Sequence, residues 1–381
     1  MRVAWLALGL SACSAPALED YACTQTEAIT PRDDSGALQA MLDDAVAGGL
    51  PGLVVAIREK NGDLWVGASG YADLDLGAPM QTCTPMHVGT ISHTFASAAL
   101  LSAAEDGVVG LDEPISGVLD PDLLATVPNA DTLTLRHLLA HQSGVPDYVA
   151  TRCALSLLND PHRPFDVESA LACLDGEEAD AEPGKKFALS NSNYVLAHAM
   201  LEAVTGKTAS EALQNRVAVP AGLSATTLPL DGEAPLGTAR SYGDLTEEGD
   251  IYDVSDVALG YGLLDGGVVS TAGDLTLFGQ ALLEADLFGT DWLRELKDET
   301  QYGKDTSYGL GLVVERDSPY GRAFGNTGLM LGTTSELWYL PDAKVTVAVM
   351  TNGGLGTLLE AEQTFSEQKL APALLAAALG G

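Results

Sequence analysis

The chain has 381 residues, 46% of them hydrophobic, which is enough to bury the core of one large domain or of two modest ones. Its formal net charge of −34 excludes nucleic acid and an anionic membrane surface as electrostatic partners, because both would be repelled. No apolar run reaches the ~18 residues of a membrane span. The sequence contains no CxxC motif or Cys/His cluster, so we expect neither a metal site nor a cofactor.

The first residues predict export. One positive charge precedes a short apolar stretch over residues 3–10, and Leu-Ser-Ala stands immediately before Cys13, as in a bacterial lipobox. We therefore expect a lipoprotein signal peptide over 1–12, lipidation of Cys13 and a polar tether over 13–33. Ser14 follows the cysteine, and resemblance to lipoproteins of double-membrane bacteria then favours the outer membrane, on its periplasmic side or at the cell surface. The lipid anchor would be the only membrane contact.

The cysteine count agrees with export. If Cys13 carries lipid, an even set of four cysteines remains for an oxidising compartment. Four cysteines allow three pairings. We pair Cys23 with Cys83 and Cys153 with Cys173 by sequence proximity alone. The alternative is four free buried thiols.

The first third of the chain predicts a helix, a hairpin and a second helix. Apolar residues at helical spacing cover 34–49, and 52–58 is an apolar run typical of a buried strand. Asn61-Gly62 is a strong hairpin signal, so 64–71 is predicted as the returning strand. The segment 90–104 has a single ionisable residue, which indicates a helix buried on all sides.

The start of this buried helix holds the first candidate site. Thr90 and His93 are three residues apart and share a helix face beside the unpaired N–H groups of the helix start. A hydroxyl beside an imidazole is compatible with a nucleophile and its base. The alternative is an N-cap threonine and a hydrogen-bonded core histidine. The neighbouring Ser92 would point away from that face.

After this helix the pattern is helical for a long stretch, and strands return only near the C-terminus. Residues 228–257 are acidic, glycine-rich and weakly periodic, and are predicted to form a long surface loop. Strands on both sides of a helical block favour an α+β fold, with a sheet built from both chain ends and a helical lobe over about 108–300. A cleft between the lobes is the expected site. The other predicted elements are helices at 133–140, 165–174, 194–205, 209–216, 271–283 and 357–379 and strands at 308–315, 333–339 and 344–351.

Several stretches, in order, match one family. They are PGLVVAI, GYADL, VGTISHTF, LTLRHLLAHQSGVPDY, PGKKFALSNSNYVLAHAMLEAVTG, GGVVSTAGDL, FGNTG and LPDAKVTVAVMTN. Together they resemble the serine β-lactamase-related family of class C β-lactamases, DD-peptidases and related esterases, over roughly residues 35–375. The resemblance implies a penicillin-binding fold over 34–381, with an antiparallel sheet lobe, a helical lobe and the site between them.

The resemblance also implies three catalytic motifs, and the first two are altered here. In place of S-x-x-K, a serine nucleophile with a lysine, the chain has Thr90 and His93. The family's Y-x-N supplies a tyrosine for proton transfer and an asparagine for the substrate amide. Leu189 replaces that tyrosine, and Asn191 is retained.

The third motif, K-T-G or H-T-G, lies on a strand and reads Asn326-Thr327-Gly328 here. Asparagine carries no charge and does not titrate. The family's oxyanion hole uses the backbone N–H groups of the nucleophile and of the residue after the third motif, which are Thr90 and Leu329 here. The chain therefore keeps a cleft able to bind a carbonyl group.

Two functions are compatible with these replacements. The first is a non-catalytic, exported lipoprotein that uses the fold as a binding or structural module, with a small molecule or a peptide in the cleft. Leucine cannot move a proton, and each lost acid–base group typically removes ~10²–10⁴-fold of rate. The alternative is an atypical hydrolase of esters or small amides, with acyl transfer to Thr90 and His93 as base.

Two lysines and two further histidines are also candidates. A ligand ending in a carboxylate is disfavoured by Asn326 and by the acidic chain, unless Lys185 or Lys186 supplies a cation. Solvated lysines are the alternative. A separate site could use His137 or His141, but both lie in the family's structural stretch and are predicted to brace packing and a loop.

Overall fold

The computed structural model describes residues 16–153, 165–229, 233–243, 251–256, 262–301, 303–318 and 320–354, with residues 374, 376, 377 and 379. The predicted signal peptide, Cys13 and most of the helix predicted for 357–379 lie outside the described residues. Within the described part of the chain, no helix is both long enough and apolar enough to cross a membrane.

The helices follow the predicted pattern. Each helix predicted between residues 34 and 283 is present, some of them several residues shorter, and α8 has no predicted counterpart. Short 3-10 helices lie at Leu18–Tyr21, Ile115–Gly117 and Tyr148–Ala150, and α6 continues as a π-helical turn at Gln214–Ala218. The α-helices of the described residues are Ser35–Ala47 (α1), Ile91–Glu105 (α2), Leu135–Leu139 (α3), Val167–Ala172 (α4), Ser192–Thr205 (α5), Ala209–Leu213 (α6), Ala272–Leu283 (α7) and Thr290–Leu296 (α8).

The strands are Gly52–Arg58 (β1), Leu64–Asp73 (β2), Ala78–Pro79 (β3), Met86–His87 (β4), Tyr242–Gly243 (β5), Tyr252–Asp253 (β6), Val269–Ser270 (β7), Thr300–Gln301 (β8), Thr306–Tyr308 (β9), Val313–Ser318 (β10), Gly321–Met330 (β11), Thr333–Leu340 (β12), Val345–Thr351 (β13) and Gly353–Gly354 (β14). Nine of these form one sheet in the order β3-β2-β1-β13-β12-β11-β10-β9-β8. Its neighbouring strands are antiparallel. The β1–β13 pair, with Val55 opposite Val349, joins the two chain ends and confirms the α+β prediction.

Different helices cover the two faces of the sheet. Leu38 and Leu42 of α1 pack with Val55 in one core cluster. On the other face, Phe95 of α2 stacks on Phe278 of α7, with ring centroids 3.8 Å apart. Successive side chains of a strand point to opposite faces, so β1 is buried along its whole length. α7 therefore packs on the sheet, although it lies inside the segment predicted as the helical lobe.

One strand prediction is corrected, and one strand was not predicted by periodicity. The strand predicted for 308–315 is divided between β9 and β10, because the chain turns between them. Gly309 donates its N–H to the Leu312 carbonyl at 2.7 Å, and Gly311 has a φ of 78°. β11 is missing from the elements predicted by periodicity, because its three glycines interrupt the apolar alternation that marks a strand.

The loop predicted for 228–257 is also corrected over its described part. It contains β5 and β6, and Ser241 and Tyr242 are buried. The Tyr242 N–H donates to the Asn352 carbonyl at 3.0 Å, and its hydroxyl accepts from the Leu74 N–H at 2.8 Å. This segment is held against the sheet and is not only surface.

The described part of the predicted tether, 16–33, is packed on the domain. Tyr21 is buried and donates to Asp73 at 2.7 Å. Glu27 forms a two-pronged ion pair with Arg58, at 2.6 and 2.7 Å. These contacts make the segment part of the folded unit, which the polar composition did not reveal.

Both predicted disulfides are confirmed. Cys23–Cys83 has a Cα–Cα distance of 5.9 Å and fastens the N-terminal segment to the chain just before β4. Cys153–Cys173 has a Cα–Cα distance of 5.2 Å and closes a segment of the helical region. The alternative of four free thiols does not apply.

Candidate active site

The candidate site lies where the start of α2 meets β11. Gly89 has a φ of 54°, and a Cβ atom there would lie 2.8 Å from the backbone nitrogen of Leu329, so glycine is required for this approach. Thr90 is partly buried, and its Oγ1 lies 3.4 Å from both the backbone nitrogen and the carbonyl oxygen of Leu329. The two backbone positions assigned to an oxyanion hole are therefore adjacent.

β11 presents one edge to the start of α2. The strand pairs with β12 along this segment but with β10 only as far as Gly325, so within the described chain its second half has a single strand neighbour. Thr327 is exposed here. Gly328 is buried, and a Cβ atom would collide with the Val88 carbonyl and the Ser335 hydroxyl. The glycine thus lets the strand and the helix start meet.

Asn326 is buried, and its amide is used within the protein. Its Nδ2 donates to Thr94 Oγ1 at 3.2 Å and to the Gly311 carbonyl at 3.4 Å. Its Oδ1 accepts from the Thr327 N–H at 2.9 Å. The residue at the lysine or histidine position of the third motif therefore supplies no charge, and its polar atoms are already paired.

His93 is fully buried and contacts aromatic rings. It stacks on Tyr194 with centroids 3.7 Å apart, and the His141 ring lies 5.3 Å away. Neither nitrogen of its ring has a hydrogen-bond partner of good geometry among the described residues, so His93 and Thr90 are not hydrogen-bonded. Burial, and secondly the His141 ring, hold the pKa of His93 well below its usual range. An interaction with the Asp265 backbone opposes this shift only in part, so His93 is a neutral core histidine.

The second motif stands at the start of α5. Leu189 is 52% exposed. Asn191 donates its backbone N–H to Asp147 Oδ1 at 3.2 Å and its Nδ2 to Asp147 Oδ2 at 3.0 Å. Burial raises the pKa of Asp147, and its three N–H partners oppose that shift. Asp147 was not predicted as a site residue, although it lies in the turn-rich stretch 141–148.

Two packed helices bring the first two motifs together. His93 lies one turn after Thr90 in α2, and Tyr194 lies one turn after Asn191 in α5, so the stacked rings join the two helix starts. The Tyr194 hydroxyl also lies 3.3 Å from Ser97 Oγ of α2. The start of α2 therefore lies beside both the start of α5 and the second half of β11.

The other two candidate histidines, His137 and His141, stabilise the local structure. His141 has a φ of 52°, and its Nδ1 accepts from the Ser190 N–H at 3.3 Å and lies 3.0 Å from Asn193 Nδ2. Burial lowers its pKa to about 3. His137 closes a capping box with Thr134 at the start of α3. These contacts are of the bracing kind that the sequence favoured.

The other candidates contribute little to the cleft. Ser92 is buried and accepts from the Val268 N–H at 3.1 Å. Lys185 and Lys186 are exposed. Over the ranges that the structure describes, no cluster of three or more His, Cys, Asp or Glu side chains is arranged to hold a metal ion.

A buried acid beneath the second motif was missed by the sequence reasoning. Tyr148 donates its hydroxyl to Asp265 Oδ2 at 2.6 Å, and both side chains are buried. Burial raises the pKa of Asp265 to about 6. Its Oδ1 is buried with no hydrogen-bond partner among the described atoms. Tyr148 lies at the end of a stretch that carries the family resemblance, but no sequence motif indicates Asp265, which is 117 residues further along the chain.

The sheet and the helices have the arrangement of proteins related to β-lactamases and penicillin-binding proteins. The Beta-lactamase family model matches residues 38–367. The chain therefore belongs to the beta-lactamase family, and the family resemblance of its sequence is confirmed.

Named relatives cover most of this chain. Penicillin-binding protein 4* of Bacillus subtilis (strain 168) is 24% identical over 320 residues, which are 78% of this chain and 67% of the relative. A D-aminopeptidase of Brucella anthropi is 27% identical over 310 residues, 79% of this chain and 56% of the relative. The chain thus spans little more than half of that D-aminopeptidase.

Solved structures agree with the fold. The D-amino acid amidase from Ochrobactrum anthropi SV3, complexed with L-phenylalanine amide, has a TM-score of 0.76 at 26% identity, covering 91% of this chain and 99% of the amidase. A D-stereospecific amidohydrolase from Streptomyces sp. has a TM-score of 0.73 at 27% identity, covering 87% and 98%. Almost all of each neighbour is therefore represented in this chain.

Proposed function

We propose that this chain is a non-catalytic member of its family, which binds a small molecule or a peptide in the cleft. The observation that carries the proposal is the state of the three side chains that would have to move protons. Leu189 is an exposed alkyl group, Asn326 is tied to Thr94 and Gly311, and His93 is sealed against Tyr194.

The Thr90 hydroxyl is therefore left without a base. A hydroxyl is a weak nucleophile unless a base within hydrogen-bond reach takes its proton. Among the described residues, Thr90 Oγ1 has its hydrogen-bonding contacts with the Leu329 backbone, and β-branching places a methyl group on the carbon that bears the hydroxyl. Losing several acid–base groups at ~10²–10⁴-fold each leaves little rate.

The polar groups that could bind a ligand in the cleft are retained, whereas the side chains that would transfer protons are replaced. The Leu329 N–H lies beside Thr90 and suits a carbonyl oxygen. Asn191 is partly exposed at the start of α5, and Thr327 is exposed on the β11 edge. A ligand with amide or ester groups matches these positions, and none of them supplies a cation for a carboxylate.

One observation favours a second candidate, an atypical hydrolase of esters or amides. Thr90 keeps a hydroxyl next to the Leu329 N–H, and the structural neighbours named above are amidohydrolases. Such an enzyme would transfer an acyl group to Thr90. It would need a base other than the buried His93, because that imidazole does not contact Thr90.

A turnover assay separates the two candidates. We expect the wild-type protein to release no product from D-phenylalanine amide or D-phenylalanine methyl ester beyond the rate of Thr90→Ala. Product release that depends on Thr90 would overturn the proposal. The quadruple variant Thr90→Ser, His93→Lys, Leu189→Tyr, Asn326→His is the informative comparison. Turnover by this variant alone would show that the cleft is intact and that these four side chains account for the loss.

We also propose that the chain is an exported lipoprotein held at a membrane through Cys13. The two disulfides support export, because such bonds persist in oxidising compartments. In a bacterial host, the wild-type protein should fractionate with membranes and Cys13→Ala should be released. A wild-type protein found in the soluble fraction would contradict the proposed anchor.

A further inference from the structure

The orientation of the Asn191 amide is fixed by its partner. Asp147 accepts the Asn191 backbone N–H through Oδ1 and the Asn191 Nδ2 through Oδ2. An ionised carboxylate only accepts hydrogen bonds, so the NH₂ group must face Asp147 and the Asn191 Oδ1 must face away from it. The Asn191 Oδ1 has no hydrogen-bond partner among the residues described, and it is not enclosed. It is therefore an accessible acceptor.

Asp147 is itself held in place. Its Oδ1 also accepts from the Val149 N–H at 3.2 Å, so three N–H donors fix the carboxylate. The charged groups that act on it are carboxylates, Asp180 and Asp265. Over the described ranges no Lys or Arg forms an ion pair with Asp147. This side of the cleft therefore offers acceptors and negative charge.

The geometry points to Asp147 as a positioning residue that makes the cleft select a neutral ligand with an amide N–H. That N–H would donate to Asn191 Oδ1, and a carbonyl of the ligand would accept from the Leu329 N–H beside Thr90. A ligand with a carboxylate in place of the amide would have no N–H for Asn191 Oδ1. Its negatively charged oxygen would face that acceptor instead. This inference rests on the proposed binding function of the cleft and names the class of its ligand.

Three probes of nearly the same shape separate the effect of the amide N–H from the effect of the carboxylate charge. D-phenylalanine amide carries an amide N–H donor at its carboxyl end, D-phenylalanine methyl ester has an uncharged group there without that donor, and D-phenylalanine has a carboxylate there. The α-amino group is common to all three probes and does not distinguish them. We expect the amide to bind roughly ten-fold more tightly than the ester, as one hydrogen bond allows, and the free acid to bind least. Dissociation constants are measured by calorimetry in Thr90→Ala, so that no probe can be turned over.

Asp147→Asn, combined with Thr90→Ala, is the decisive variant. An asparagine at 147 can donate to Asn191 Oδ1. The Asn191 amide can then rotate by 180°, so its oxygen is no longer held as an acceptor for the ligand. The amide-to-ester ratio should fall to about one. Asp166→Asn is the matched control, because Asp166 caps α4 through the Ser169 N–H at 2.8 Å, away from Asn191. It should leave the ratio unchanged.

Asn191→Ala keeps the test decisive if Asp147→Asn folds poorly, since it removes the acceptor directly and should also abolish the ratio. Equal binding of amide and ester to Thr90→Ala, or a ratio unchanged in both variants, would overturn the inference. Thr90-dependent hydrolysis of the ester by the wild-type protein would instead contradict the non-catalytic function. The two failures are thus distinguishable.

Discussion

Replacing Asp265 by asparagine should change how the stability of the protein depends on pH. Asp265 is buried, it accepts the Tyr148 hydroxyl, and the titratable groups that act on it include Asp147 and His198. Asparagine keeps an oxygen for the Tyr148 hydroxyl but cannot ionise. The difference between the two proteins therefore isolates the cost of a charge at this position.

The magnitude follows from the pKa of the carboxyl in each state. Burial raises the pKa of Asp265 to about 6, against ~3.9 in an unfolded chain. Between these values the folded protein holds a proton that the unfolded chain has released, so the Asp265 contribution to stability falls as the pH rises. Two pKa units correspond to about 3 kcal/mol, fully lost above pH 6.

Urea unfolding of both proteins at several pH values between 4 and 8 measures this term. The free energy of unfolding of Asp265→Asn, minus that of the wild type, should rise by about 2 kcal/mol from pH 4 to pH 7, because the unfolded carboxyl is already about half ionised at pH 4. Groups that titrate in both proteins cancel in this difference. The exposed Asp122→Asn is the control and should give a flat difference. A flat difference for Asp265→Asn would refute the reasoning.

Three further predictions concern the approach of β11 to α2, the two disulfides and the exposed position 189. Gly328→Ala should lower the free energy of unfolding by about 1–3 kcal/mol in urea titrations, because its Cβ would strike the Val88 carbonyl, whereas Gly36→Ala in α1 meets no atom within 4 Å and should not destabilise. Replacing both cysteines of Cys23–Cys83 by serine should cost about 4 kcal/mol, and those of Cys153–Cys173 about 3 kcal/mol, because the first bond closes the longer loop, with a separation of 60 against 20 residues; the reverse order would contradict this argument. Leu189→Tyr, at a 52% exposed position, should shift the free energy of unfolding by less than ~0.5 kcal/mol and give no turnover, so a gain of activity would mean that a base is already in place.

Periodicity and turn signals predicted most of the fold. The apolar run 52–58 and Asn61-Gly62 gave the central hairpin, and the uncharged stretch after Thr90 gave the buried helix α2. Periodicity did not predict β11, because glycines that allow close approach remove the apolar alternation on which strand prediction depends, although the third motif was expected on a strand. The packing of residues 16–33 on the domain was not predicted, because a few dispersed residues, such as Tyr21 and Glu27, hold the segment by tertiary contacts.

The candidate site could be placed from motif spacing but not described from it. Motif spacing identified Thr90, His93, Asn191 and Asn326 as candidate site positions. It did not show that His93 stacks on Tyr194 without reaching Thr90, because side-chain direction depends on the partner helix. The pairing of Asn191 with Asp147, 44 residues away, likewise arises only in the fold.

The intact mass of the protein after prolonged incubation with a fluorophosphonate tests the absence of catalysis most directly. A reactive hydroxyl would add the probe covalently, and Thr90 is the hydroxyl at the nucleophile position. The account predicts an unchanged mass for the wild-type protein. A mass increase of one phosphonyl group that disappears in Thr90→Ala would contradict it.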